Sequence, residues 1–134
     1  MKITPKQRAE LIERAMDVRS NAYAPYSKYA VGAALLTRSG KTFDGVNVEN
    51  ASYPLSMCAE RNAIFKAVSR GEREFDVIVV ATDNGGSPCG ACRQVMAEFG
   101  LDTRVLTVDA DGEVVLDTTV EALLPEAFQP HDLG

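Results

Sequence analysis

Val77-Ile78-Val79-Val80-Ala81-Thr82, then Asp83-Asn84-Gly85-Gly86-Ser87-Pro88, then Cys89-Gly90-Ala91-Cys92: these sixteen residues carry the strongest structural signal in the chain. The first six are apolar and mostly β-branched, as in a strand buried on both faces of a sheet. The next six are turn formers and make a loop. Cys89 opens a helix over residues 89–99 that Gly100 ends. Strand, loop and helix in this order build an α/β sheet, and ligand sites in such sheets gather at the loop that follows the strand.

Working outward, the rest of the chain supplies the remaining layers. Residues 4–22 place Leu11, Ile12, Ala15, Met16 and Val18 at helical spacing among charges, with Thr4 and Pro5 as cap and first helical residue. Ala24-Pro25-Tyr26-Ser27 breaks that helix into a loop. Residues 31–37 and 42–48 are strands joined at Ser39-Gly40-Lys41, a hairpin. Residues 50–57 are irregular, and Cys58 opens a second helix that ends near Gly71. Strands over 104–108 and 114–116 flank Asp111-Gly112; Thr119 caps a short helix over 120–124, and 128–134 are an irregular tail. The expectation is one α/β domain over residues 1–134, three layers α/β/α, with a mixed sheet of about five strands.

Composition narrows the function. The chain has 134 residues, 46% hydrophobic and 25% charged, as globular proteins do. Its net charge is −5 and no basic run marks a phosphate-tracking stripe, which argues against nucleic acid as a partner. No apolar stretch suits a membrane span, and Met1-Lys2-Ile3-Thr4-Pro5-Lys6 turns polar at once, so a cytoplasmic protein is expected. A small, uncharged or weakly charged substrate fits this surface.

The three cysteines are Cys58, Cys89 and Cys92. An odd number of thiols in a reducing compartment favours metal over a disulfide framework. A CxxC pair alone serves metal, redox or incidental uses. Joined to Cys58, each segment at an expected helix start where unpaired N–H groups favour thiolates, it points to one Zn²⁺ per chain. Three ligands leave a fourth position for water, and Glu60 is the one carboxylate close by in sequence. Residues two apart in a regular helix point to nearly opposite sides, so Cys58 must precede the helical backbone for Glu60 to reach that water. The pattern predicts a hydrolytic deaminase: zinc acidifies water, and Glu60, not a ligand, moves protons to a ring nitrogen and to departing ammonia. Three thiolates around Zn²⁺ leave a net negative charge that weakens this nucleophile. Arg61 is the nearest fixed cation and is expected to donate to a thiolate, the alternative being an ordinary surface arginine.

Tyr23-Ala24-Pro25-Tyr26-Ser27, Val31-Gly32-Ala33-Ala34-Leu35, Asn47-Val48-Glu49-Asn50-Ala51, Cys58-Ala59-Glu60-Arg61, Pro88-Cys89-Gly90-Ala91-Cys92-Arg93-Gln94 and Leu123-Leu124-Pro125 together make the chain resemble, over nearly its whole length, the small cytidine deaminases with three cysteine ligands. The resemblance implies deamination of cytidine and 2′-deoxycytidine in pyrimidine salvage. It implies that Asn47 and Glu49 bind the ribose, that Ala59 contacts the pyrimidine through its backbone and that Glu60 contacts N3. Tyr29 stands where the family usually has a Phe packed near the base, and its hydroxyl needs a partner. Phe128 matches an aromatic that reaches a neighbouring subunit's site, which implies a homotetramer with shared active sites. From the residues alone, Asn47 and Glu49 read equally as a solvated hairpin end, and Phe128 as an anchor for the tail.

Two other functions fit the thiols. One keeps the chemistry and changes the substrate to an aminonucleoside such as blasticidin S. The other is a structural zinc module in which His131, the chain's one histidine, closes a Cys₃His site.

Overall fold

The computed structural model describes residues 3–134; the polar reading of Met1 and Lys2 lies outside them. Helix α1 covers Pro5–Arg19, and the hairpin follows as β1, Gly32–Thr37, and β2, Thr42–Val46. Helix α2 is Ala59–Ser69, β3 is Phe75–Ala81 and α3 is Gly90–Phe99. The chain closes with β4, Arg104–Val108, β5, Val114–Thr119, and the short α4, Val120–Leu123. One five-stranded sheet runs in the order β2-β1-β3-β4-β5; β3 and β4 are parallel and the other pairs antiparallel. The expected three-layer α/β/α architecture with a mixed five-stranded sheet is what forms.

Side-chain alternation along the central strands assigns the layers. Val77, Val79 and Ala81 face α1 with Leu11, Ala15, Ala34 and Leu36. Ile78 and Val80 face the other way, into a core shared with Ala63, Ile64, Met96 and Val105. Helix α1 starts as its residues dictate: Thr4 accepts from the Gln7 N–H, and the Gln7 side chain returns to the Thr4 N–H. Among the described residues, no helix is long and apolar enough to cross a membrane.

Two glycines set how closely helix and strand approach. A Cβ on Gly45 in β2 would lie 2.6 Å from both the Ala59 carbonyl oxygen and the Ala63 nitrogen of α2. A Cβ on Gly32 would lie 2.2 Å from the Ala15 carbonyl oxygen of α1. The start of α2 therefore rests on bare backbone, and the Asn62 amide fastens it by donating to the Val46 carbonyl at 2.7 Å.

Strand β3 starts two residues before the expected run and ends at Ala81, and four other differences from the sequence reading have a clear local reason. Helix α1 stops at Arg19, because the Ser20 N–H and hydroxyl both fold back to the Asp17 carbonyl. Strand β2 stops at Val46, and Val48 makes only isolated bridges with Tyr23 and Met57. Strand β5 runs three residues longer, to Thr119, held across the edge by a two-pronged Arg104–Asp117 pair at 2.9 and 2.7 Å. The tail forms a 3₁₀ turn over Pro130–Leu133, where Asp132 accepts from the Gln129 N–H.

Candidate active site and metal centre

Cys58 is the residue before α2, with φ −73° and ψ 153°, and Cys89 is the residue before α3, with φ −68° and ψ 166°. Both are extended caps, not first helical residues. Cys92 is one turn into α3 and buried. All three sulfurs lie within 4.8 Å of one another, with Cys58 to Cys89 at 3.7 Å and Cys89 to Cys92 at 3.4 Å. Sulfurs at 2.3 Å around a tetrahedral Zn²⁺ stand about 3.8 Å apart, so the donor set fits zinc almost as it lies. Among the described residues no further His, Cys, Asp or Glu joins the cluster. His131 is exposed in the tail and pairs with Asp132 at 3.4 Å, so the structure does not bring it to the sulfurs.

Arg61 takes the place expected of it. Its Nη2 donates to the Cys58 sulfur at 3.3 Å, while its Nε is buried with no partner. A guanidinium donating to a sulfur favours its thiolate form, the form that binds a metal. A hydrogen bond from the Cys92 thiol lowers Cys58 to about 5, with Arg61 assisting. The same hydrogen bond, together with burial, raises Cys92.

The extended cap at Cys58 is what lets Glu60 reach the same space. Glu60 is 4% exposed and lines a cavity of about 270 Å³ together with Cys58 and Cys89. Burial raises its carboxyl to about 7, with the neighbouring Cys58 charge adding to the effect. Ala59, Asn47, Glu49 and Tyr29 line that cavity too. The Asn47 side-chain oxygen Oδ1 accepts from the Val31 N–H at 2.9 Å, and its side-chain Nδ2 donates to the Tyr29 carbonyl at 2.8 Å. Glu49 accepts from the Tyr26 and Ser27 N–H groups at 3.0 and 3.1 Å and from the Ser27 hydroxyl. These bonds, the Ser27 hydroxyl foremost, hold its carboxyl below the ordinary range. The hydroxyl of Tyr29 donates to Asn84 Oδ1 at 2.7 Å. Phe128 is exposed and absent from the lining of this chain's own cavity; its carbonyl accepts from Gln94 at 2.9 Å.

A family model described as the cytidine and deoxycytidylate deaminase zinc-binding region matches residues 5–108. The chain belongs to this family. It is 48% identical over 130 residues to the cytidine deaminase of Halalkalibacterium halodurans, covering 95% of this chain and 98% of that one. It is 34% identical over 130 residues to the blasticidin-S deaminase of Bacillus cereus, covering 90% and 91%. The crystal structure of cytidine deaminase from Burkholderia pseudomallei matches with a TM-score of 0.86 and 48% identity, covering 94% of this chain and all of that one.

Within this deaminase fold, several residues that sequence reasoning passed over organise the site. Ser27 seats Glu49. The Thr82 hydroxyl accepts from the Gly85 and Gly86 N–H groups at 2.7 and 3.0 Å, folding the loop after β3. Arg93 clamps the segment leading into Cys89: it donates to the Pro88 carbonyl at 2.8 Å, the Ser87 hydroxyl at 2.7 Å and the Leu123 carbonyl at 2.8 Å. Ser27 and Arg93 stand in the motifs that carry the resemblance, but neither had a chemical role legible there, and Arg93 read as a packing or surface residue. Asn84 and Thr82 looked like ordinary loop and strand-end residues.

Proposed function

We propose that the protein hydrolyses cytidine and 2′-deoxycytidine to uridine and 2′-deoxyuridine with release of ammonia. The observation that carries this reading is the meeting, in one cavity, of a three-sulfur cluster, the buried Glu60 carboxyl and a polar wall at Asn47 and Glu49. The similarity to proteins named cytidine deaminase supports the choice of substrate. A zinc ion held by Cys58, Cys89 and Cys92 supplies a Lewis acid that acidifies water. Glu60 would accept one proton from the attacking water and pass it to N3 of the pyrimidine. It would then take the proton left on the hydroxyl added at C4 and give it to the amine, which departs as ammonia as the C4–N bond breaks and the C4 carbonyl forms. The Ala59 backbone orients the base, Tyr29 packs beside it, and Asn47 and Glu49 hold the sugar hydroxyls. Arg61 draws charge from Cys58 and keeps the metal centre electrophilic.

A nucleoside suits the cavity better than a nucleotide. No Lys or Arg is among its lining residues, and the anionic Glu49 repels a phosphate. The proposed assembly is a cytoplasmic homotetramer in which Phe128 of each chain completes a neighbour's site. The exposure of Phe128, Tyr23, Tyr53, Leu55 and Phe65 supports such burial between copies.

The test is the ultraviolet absorbance of cytidine over time with zinc-loaded protein, beside Glu60→Ala. Loss of the cytidine band with ammonia released is expected, and the variant should retain zinc while turnover falls by at least about 10²-fold. An inert wild-type protein carrying one zinc per chain overturns the cytidine reading, and blasticidin S is then the substrate to assay.

A further inference from the structure

The cavity has two walls from distant parts of the chain. One is the loop before β1, carrying Ser27, Tyr29 and Val31; the other is the loop after β3, carrying Gly86, Ser87 and the metal-side Cys89. A side chain-to-side chain hydrogen bond joins them: the Tyr29 hydroxyl donates to Asn84 Oδ1 at 2.7 Å. Both ends are anchored. The Tyr29 N–H donates to the Ser27 hydroxyl at 3.0 Å, and its carbonyl accepts from Asn47 at 2.8 Å. Asn84 Oδ1 also accepts from the Gly86 N–H at 3.2 Å, and its backbone bridges to Asp109. Gly85 is pinned from behind, its carbonyl accepting from the Thr107 hydroxyl at 2.9 Å.

The space around the Tyr29 hydroxyl confirms that it has a place reserved for it. A Cβ added to Gly86 would fall 2.6 Å from the Tyr29 oxygen, with the next atoms at 3.4 and 3.8 Å. Gly86 has an ordinary backbone conformation, so what its hydrogen makes room for is that one phenol oxygen. A Phe at position 29 keeps the ring and loses both the bond and the crowding.

We propose that Tyr29 and Asn84 form a strap across the rim that sets the width of the cavity, making Tyr29 a positioning residue that governs which pyrimidine nucleosides fit. The proposal rests on the nucleoside reading for its substrate consequence, but the strap itself is a property of the two loops. With the strap in place, the base is held between fixed walls. Without it, the stretch around Asn84 and Gly86 moves outward, while Glu60 on α2, Cys92 on α3 and the two capping cysteines, with the segment before Cys89 clamped by Arg93, keep their places. The loss therefore falls on substrate affinity and on size discrimination more than on turnover.

The experiment compares zinc-loaded wild type, Tyr29→Phe, Gly86→Ala and the double variant. Hydrogen–deuterium exchange of residues 83–88 is measured without substrate, and steady-state kinetics are measured on cytidine and 5-methylcytidine. Removing one hydrogen bond is expected to raise exchange in that loop, and KM for cytidine, by about 3- to 10-fold in Tyr29→Phe, with a smaller change in kcat. The preference for cytidine over its 5-methyl analogue narrows in the same variant. Gly86→Ala alone raises KM as well, and in the Tyr29→Phe background it adds little, because the atom it collides with is gone. Unchanged exchange in Tyr29→Phe, or additive effects of the two substitutions, overturns the strap. A wild type inactive on cytidine, with exchange responding as described, removes the substrate reading and leaves the strap standing.

Discussion

The proposed function gives the Arg61 guanidinium the task of tuning a metal centre. Three thiolates hold zinc firmly but leave it poorly electrophilic, and a cation donating to one sulfur withdraws part of that charge. Arg61 reaches Cys58 at 3.3 Å, and the bond raises its own already high pKa. Arg61→Gln keeps some hydrogen bonding and removes the charge. It is expected to lower turnover about 10-fold or more while zinc per chain, measured by atomic absorption, falls far less. Equal activity per bound zinc would show that the arginine is only packing. Glu60 divides the same way: Glu60→Gln preserves shape and zinc and removes proton transfer, so metal content and turnover should separate completely. Legibility at this scale was high. Cys58, Glu60, Arg61, Cys89 and Cys92 are few, fall in two short stretches and are chemically distinctive. Ser27 and Asn84 were not legible, because a serine and an asparagine in loops fit many roles.

At the level of elements, the site depends on where α2 begins. Its first turn lies against β2 with only the Gly45 hydrogen between them. Gly45→Ala must push α2 outward or distort β2, costing about 1–3 kcal/mol, which urea denaturation would register, and loosening zinc with it. A variant with an unchanged urea midpoint would mean that the helix can shift freely. Asp44, the neighbouring residue, ties both helices to the hairpin, accepting from Arg14 of α1 at 2.9 Å and Lys66 of α2 at 3.1 Å. Burial opposes its charge, yet the two cations outweigh burial and hold the carboxyl below its ordinary value. A depressed carboxylate contributes stability that is present above the unfolded value, about 4, and is lost as pH falls through the lower folded value. Asp44→Asn is therefore expected to lose about 1 kcal/mol at pH 7, and the difference from wild type should vanish in acid. A difference that persists below both values would place the effect in packing. Helices and central strands were legible from periodicity and capping residues. The extension of β5 was not, since its polar alternation takes its meaning from Arg104 on the next strand.

For the molecule as a whole, zinc is expected to link the starts of two helices, α2 and α3. Cys58 and Cys89 sit on caps separated by β3, so a bound ion closes a long loop and stabilises the folded state by mass action. Stripping the metal with a chelator should lower the melting temperature and abolish deamination, and added zinc should restore both. A chelated protein with an unchanged melting temperature would mean that the cap geometry is held by the protein alone. Sedimentation velocity checks the proposed assembly: a species four times the 14.5 kDa chain is expected, and a monomer at working concentration would require another role for Phe128.

By itself, the sequence determined the things that depend on local pattern and residue chemistry. The buried run over residues 77–82 predicts a central strand, the capping signals predict helices, and three cysteines with one nearby carboxylate predict a zinc deaminase site. Those properties follow from periodicity and from what thiols and carboxylates can do. Tertiary structure alone decided which distant residues touch: that Tyr29 meets Asn84, that Ser27 seats Glu49, that Arg93 reaches the Leu123 carbonyl and that Gly45 makes room for α2. Such contacts are set by sheet order and helix placement, which bring residues tens of positions apart within hydrogen-bond reach. Their side chains, read one at a time, are compatible with many other neighbours.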